Sequence, residues 1–337
     1  MKDSKIEWTD HTHNEWIGCE KISDGCKNCY AEELMDKRYG RAKWGSNGTR
    51  ILTSIQNRNK PFSWNRKAEK EGVRYKVFAQ SLSDTFEDRE ELEPWRIELF
   101  KKIASTPNLI WLVLTKRPDV AKKFFEKYTE FQDLSNLWLG VSVENQETAN
   151  RRIPILLDIP AKVRFLSCEP LLANINFTFQ NYIPESSLGT ESIDFEIFNP
   201  LLGKKQYWNS NSEFKIPIEI THTPKIDWVI VGGESGKNAR PMHPDWVRSI
   251  RDQCQKADVK FFLKQWGEWA EGSHSSIGER RAVLNNGESC LFEKVNCENL
   301  EKKLSGWGQF KPVLMQKVGK KKAGSMLDGR EWKEFPR

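Results

Sequence analysis

The sequence predicts an α/β protein built on a full or partial (β/α) barrel of TIM type, with about six to seven parallel strands. Three observations carry this expectation. Short continuous apolar runs recur along the chain, each ends abruptly in charged or polar residues, and a helical pattern follows most of them. Uninterrupted apolar runs suit strands covered on both faces, as parallel strands are. Their spacing, mostly about 25–35 residues, is that of a βα unit.

Taken in order, the first strand is expected around residues 12–17, directly ahead of a cysteine-bearing loop. Residues 75–81 run into Leu82-Ser83-Asp84, and residues 109–114 into Thr115-Lys116-Arg117-Pro118. Residues 137–143 end at Glu144-Asn145, and residues 163–167 at Cys168-Glu169-Pro170. Residues 228–231 reach Gly232-Gly233-Glu234-Ser235-Gly236, and residues 260–263 end at Lys264-Gln265-Trp266. Helices are expected over residues 89–105, 119–128, 145–157 and 244–256, the first opening on acidic residues and the last on Pro244, as helix N-termini prefer.

Three stretches break the rhythm. Residues 40–74 are irregular. Residues 173–225, after the fifth strand, alternate in places (Asn176–Phe179 and Lys215–Ile220) and read as an insertion holding one or two β-hairpins, placed as a lid over the barrel mouth. Residues 270–337 form a C-terminal appendage to a barrel spanning 1–269, with the cysteine loop at 18–30.

A barrel gathers side chains from every strand at its C-terminal mouth, whereas an open doubly wound sheet concentrates its site at one switch point. Asp84, Lys116, Arg117, Glu144, Glu169, Glu234 and Lys264 are therefore expected to ring one mouth. Any one of them alone equally suits a helix cap or a surface ion pair.

Composition limits the function classes. Of 337 residues, 38% are hydrophobic and 30% charged, a globular balance. The 53 basic against 47 acidic residues leave a net charge of +6, compatible with nucleic acid without requiring it. The basic run Lys317-Val318-Gly319-Lys320-Lys321-Lys322 reads as a solvated tail or, alternatively, a phosphate clamp. Most of the 14 Trp and 18 Phe are expected in the core. The polar N-terminus has no secretory h-region and no apolar run is long enough to span a bilayer, so a cytoplasmic protein with no membrane partner is expected. Seven cysteines in such a chain favour metal or redox use over a disulfide framework.

The chemistry centres on Cys19, Cys26 and Cys29, separated by six residues and then two. Three thiolates can hold one metal centre and leave a coordination position open. The residues leave three options: an iron–sulfur cluster; zinc, with a fourth ligand from His11, His13 or Cys168; or no metal. Cys168 is more simply a buried strand-end thiol. Gly18 and Gly25 let the loop turn tightly. Gly232 and Gly233 permit close backbone approach to a ligand, or form a plain turn. Lys264 with Trp266 and Trp269 offers a cation and two indoles to an aromatic ligand, unless the indoles close the barrel. No Ser/His/Asp set, His-Glu-x-x-His or phosphate-loop motif is present.

With its three-cysteine loop after a first barrel strand, the chain resembles the radical S-adenosylmethionine enzymes. More closely, it looks like the phage-associated three-Cys-motif proteins, a family of unknown function. The matching stretches are Ser4–Asp10, Gly18–Ala31, Leu114–Pro118, Leu139–Asn145, Phe165–Leu171, Val231–Gly236 with Ala239–Met242, Phe262–Gly267 and the tail from Val318 to Arg330. The radical enzymes usually space the cysteines by three residues and then two, with an aromatic residue before the third; here the first gap is six and Asn28 holds that place, with Tyr30 on the other side. The resemblance implies a [4Fe–4S] cluster on Cys19, Cys26 and Cys29, S-adenosylmethionine on its free iron, an electron donor, and radical chemistry on an unknown substrate. It also implies roles by charge: Lys116 or Arg117 on the methionyl carboxylate, Glu234 on its ammonium or ribose, Tyr30, Gly232 and Gly233 near the cofactor, and Glu144, Glu169 and Lys264 toward substrate. A nucleic acid or nucleotide is the expected substrate. The competing reading is a nucleic-acid-binding or interaction protein that uses iron–sulfur or zinc for stability and performs no catalysis.

Overall fold

The structure, a computed structural model, describes residue 4 and residues 6–182, 195–208, 219–272, 279–284, 287–291 and 312–337. Seven parallel strands form one sheet: β1 (His11–His13), β2 (Tyr75–Ala79), β3 (Leu109–Thr115), β4 (Leu137–Ser142), β5 (Val163–Cys168), β6 (Trp228–Gly232) and β7 (Lys260–Gln265). They pair in sequence order from β1 to β7, and the sheet curls into a half-barrel whose end strands do not pair with each other. The α/β class and parallel strands stand as expected, and the barrel is partial.

Alternation within each strand divides two cores. Val77, Ala79, Trp111, Val113, Leu137, Leu139, Leu166, Val229, Val231, Phe261 and Leu263 pack outward against the helices. Phe78, Leu112, Trp138, Phe165, Trp228, Ile230 and Phe262 face the concave side, where Trp8 joins them. The Trp8 ring lies 4.6 Å from Phe78 and 6.4 Å from Trp228. Large aromatic side chains thus fill the concave side, although more of the buried Trp and Phe lie in the helix-side core.

The outer layer consists of α1 (Ile55–Glu71), α2 (Glu93–Ala104), α3 (Pro118–Lys127), α4 (Gln146–Leu157) and α5 (Pro244–Lys256). Four match expectation within a few residues. The first, α1, lies in the stretch read as irregular: Ser54 caps it through Asn57 N at 3.3 Å and Gly72 ends it at φ +65°. Pro61 inside it and only three buried positions obscure its period. No helix among the described residues is long and apolar enough to cross a membrane.

Between β5 and β6 the described residues make no helix. It forms an antiparallel sheet of Phe179–Tyr182, Phe195–Asn199, Lys204–Trp208 and Glu219–His222. The hairpins are as expected, but the lid is not: Phe177, Phe179, Phe198 and Leu201 join the helix-side core. Gln253 of α5 bonds Ile175 O and Phe177 N, and Gln146 of α4 bonds Asn176. The described part of the insertion thus covers the outer face where a helix would otherwise lie; residues 183–194 and 209–218 fall outside the described residues.

Beyond β7, Trp269–Glu271, Val313–Lys317, Arg280–Val283 and Ser289–Leu291 form a second antiparallel sheet. The chain then returns to the barrel. Lys333 bridges Phe262 in antiparallel register, Leu263 N bonds Trp332 O at 2.9 Å, and Phe335 packs on Trp228 at 5.1 Å. The otherwise unpaired edge of β7 is covered by this tail.

Candidate active site at the half-barrel mouth

The C-terminal ends of the strands surround a cavity of about 460 Å³ lined by Cys19, Cys26 and Cys29. Tyr30, Asp84, Lys116, Arg117, Glu169, Gly233, Glu234, Lys264 and Lys320 also line it, while Ile6, Trp8, Phe78 and Leu114 reach it from the concave core. The expectation that strand ends converge on one mouth beside the cysteine loop is met in geometry.

The loop is pinned from four strand ends. Tyr30 Oη donates to Ser81 O at 2.5 Å after β2, and Arg117 Nη2 to Glu20 O at 3.2 Å after β3. Ser23 Oγ donates to Glu144 Oε1 at 2.9 Å after β4. After β6, Asn28 Nδ2 donates to Glu234 Oε2 at 3.0 Å and Arg240 Nη2 to Asp24 O at 2.9 Å. Asn28, which holds the place of an aromatic in radical enzymes, is here an anchor of the loop. At Gly18 (φ +111°) a Cβ would stand 2.4 Å from Thr49 O, and at Gly25 it would stand 2.5 Å from Glu144 Cγ. Gly25 thus serves the loop's close approach to the barrel, and Gly18 its approach to the segment around Thr49.

The carboxylates divide by what they touch. Glu144 is fully buried, is bonded by Arg152 Nη1 at 2.8 Å, and does not line the cavity. Glu234 takes a two-pronged bond from Arg240, at 2.7 and 2.9 Å. Both hold the loop; Glu144 does not meet the cavity, and the bonding of Glu234 is already committed to Arg240 and Asn28. Glu169 and Lys264 form a 2.5 Å ion pair on the cavity wall and are partly open to it. A bulge opposite Gly232 in β6 lets the successive residues Lys264 and Gln265 both line the cavity.

Two cations stand against the thiols. Lys116 Nζ donates to Ser142 Oγ at 3.2 Å and lies 3.7 Å from Glu144. Burial works to lower its pKa, but Glu144 and Cys26 outweigh this and raise it. Arg117 pairs with Asp84 at 3.2 Å and is likewise held protonated by Asp84 and Cys19 against its burial. Burial pushes the Cys19 thiol up to about 12, with Asp84 and Glu87 adding to it, and burial also raises Cys29.

Cys19, Cys26, Cys29, Cys168 and Cys254 are all free thiols. Among the described residues, no three His, Cys, Asp or Glu side chains converge on a point one metal ion would occupy. A single zinc at bonds of about 2.3 Å needs its thiolates in mutual contact, whereas a cubane gives each thiolate its own iron. Three free thiols share one cavity wall with the Lys116 ammonium and the Arg117 guanidinium. The alternative zinc ligands are elsewhere. His11 stacks on Trp64 of α1 at 4.4 Å, His13 bonds Glu15 at 2.9 Å beneath α2, and Cys168 is fully buried in the helix-side core.

Two further expectations change. Trp266 and Trp269 do not line the cavity; both are buried, with indole N–H groups on Met326 O and Ala239 O. Gly233 touches the cavity, yet a Cβ there would meet Trp266 O at 2.0 Å, and one at Gly232 would meet Glu169 at 3.1 Å. Gly233 is needed for packing of backbone on backbone, and Gly232 stands against the Glu169 side chain. Arg240 was legible only as part of a matching stretch, without a role; its signal is an arginine six residues beyond Glu234. Lys320 belongs to the basic run read first as a solvated tail, and Gln80 and Gln265 gave no signal beyond their strand-end positions.

The fold and site define a parallel α/β half-barrel whose strand ends and cysteine loop enclose one cavity of mixed polar and apolar lining. The chain belongs to the family described as protein of unknown function (DUF5131), whose profile matches residues 3–336. No curated protein and no solved structure matches it.

Proposed function

We propose that this protein is a cytoplasmic iron–sulfur enzyme of the radical S-adenosylmethionine type, of the phage and bacterial three-Cys kind, acting on a nucleotide or nucleic acid. One observation carries the reading: three free thiols on one anchored loop line the same cavity as Lys116, Arg117, Glu169 and Lys264. Cys19, Cys26 and Cys29 would hold a [4Fe–4S] cluster, which supplies one-electron reduction of S-adenosylmethionine bound beside it. Lys116 and Arg117 offset the thiolate charge and offer donors to a carboxylate. Glu169 and Lys264 are the acid–base pair open to the cavity and positioned to bind substrate or move a proton. The concave aromatic core closes the cavity from below and keeps bulk water from that side.

Anaerobic reconstitution with iron and sulfide tests this. The wild type is expected to take up iron and sulfide with visible charge-transfer absorption, and Cys26→Ala to lose both. With a low-potential electron donor the loaded protein should release 5′-deoxyadenosine from S-adenosylmethionine. Stoichiometric zinc without iron would sink the reading. Salt-dependent nucleic-acid affinity with no cofactor turnover would favour the non-catalytic alternative.

A further inference from the structure

The cavity floor holds polar groups that the protein itself leaves without partners. Trp8 and Gln80 are each 2% exposed and Gln265 is 4% exposed, and all three line the cavity. Trp8 Nε1, Gln80 Nε2 and Gln265 Oε1 have no hydrogen-bond partner. The Gln80 amide is oriented by Oε1 accepting from Glu15 N at 2.6 Å, so the orphan end is a donor. Gln265 Nε2 donates to Ser235 Oγ at 3.0 Å; since a hydroxyl serves either end of an amide, Gln265 offers an acceptor or, turned over, a donor. Gln80 also stands at φ +60°, a left-handed conformation unusual for a residue other than glycine and concentrated at ligand sites. Phe78 and Leu114 add flat apolar surface beside these groups. At the rim, Lys320 lines the cavity, and its Nζ makes no hydrogen bond or ion pair among the described residues.

We propose that this floor is a subsite for the nucleobase of a nucleoside phosphate: Trp8 Nε1, Gln80 Nε2 and the Gln265 amide pair with the base edge, Phe78 and Leu114 cover its face, and Lys320 takes the phosphate. Two fixed donors and one adaptable amide beside apolar surface match the mixed edge and the face of a planar nitrogen heterocycle. The inference rests on the proposed function for the mouth being the working site, and does not depend on the cluster.

The test is calorimetric binding of adenosine, guanosine, cytidine and uridine, and of their 5′-monophosphates, to cluster-free Cys26→Ala protein. At least one nucleoside should bind, and its monophosphate about tenfold more tightly. Trp8→Phe and Gln80→Glu should each weaken nucleoside binding about tenfold, one hydrogen bond's worth, with circular dichroism and thermal midpoint confirming the fold. Lys320→Ala should remove only the phosphate increment. Ribose 5-phosphate should not bind. Failure of every nucleoside to bind the folded protein, or unchanged binding in both floor variants, overturns the subsite. So does competition by S-adenosylmethionine that Trp8→Phe weakens in parallel, which would give the floor to the cofactor. Equal affinity for nucleoside and monophosphate overturns the role of Lys320. A chain that takes up no iron yet binds in this pattern loses the cluster reading and keeps the subsite.

Discussion

Glu144 is the residue on which the cysteine loop leans. It joins Ser23 of the loop to Arg152, whose side chain is fully buried and whose Nε and Nη2 have no partner. Removing its charge leaves a buried guanidinium without its counter-ion, and a broken buried pair costs about 3–5 kcal/mol. Glu144→Gln should therefore lower the urea midpoint sharply, whereas a purely catalytic role would leave stability intact. Gly25 makes the complementary case. A methyl group there would overlap Glu144, which cannot retreat because Arg152 holds it. Gly25→Ala should cost roughly 1–3 kcal/mol, as overpacking does, read as a shift in urea midpoint. At this scale the sequence pointed to residues that gather at the mouth, but not to what each of them touches. A strand-end carboxylate looks the same whether it meets a substrate or a buried arginine, and only the fold brings Arg152 behind Glu144 or Arg240 beside Glu234.

At the scale of elements, the join between β1 and α2 carries a pH dependence. His13 is 1% exposed, its Nε2 within 2.9 Å of Glu15, which also pairs with Lys102 of α2 at 2.5 Å. Burial lowers the His13 pKa below its usual 6.5, and Lys102 adds to the lowering while the Glu15 bond opposes it. Burial works to raise Glu15, but its bonds to His13 and Lys102 prevail and leave it below its usual 4.5. Both groups are thus less protonated when folded than when unfolded, so their contribution to stability is present above the unfolded values and lost as pH falls. The loss begins as pH drops below 6.5 through His13 and continues below 4.5 through Glu15. Thermal midpoints should fall between pH 8 and pH 5.5, and His13→Gln, which keeps a donor for Glu15, should flatten that slope. A slope unchanged by the substitution would assign the effect elsewhere. Strands were the most legible elements, because a strand covered on both faces must be apolar at every position. Helix α1 was not, since Pro61 and a polar surface hide the stripe that Trp64 and Ala68 bury. The insertion misled in another way: its alternating pattern identified hairpins but held no information about which face of the barrel they cover.

For the molecule as a whole, repeat length and polar strand ends announced a barrel-like parallel sheet, yet nothing local in the sequence reports whether a sheet closes. That depends on the pairing of β1 with β7, which the structure lacks, and on what fills the gap. Part of the filling is the tail. Deleting residues 332–337 should uncover Trp228, Phe262 and the edge of β7, lowering the thermal midpoint and shifting the protein toward aggregates in size-exclusion chromatography. A monodisperse, equally stable truncation would show that the tail only decorates the barrel. The same arrangement bears on synthesis. Trp8 and Phe335, 327 positions apart, pack on the one indole of Trp228. A nascent chain can assemble much of its helix-side layer early, but its inner aromatic face stays open until Phe335 has left the ribosome. Until then that surface should remain a client of chaperones that bind aromatic side chains, and its protection should arrive in a single step when Phe335 docks.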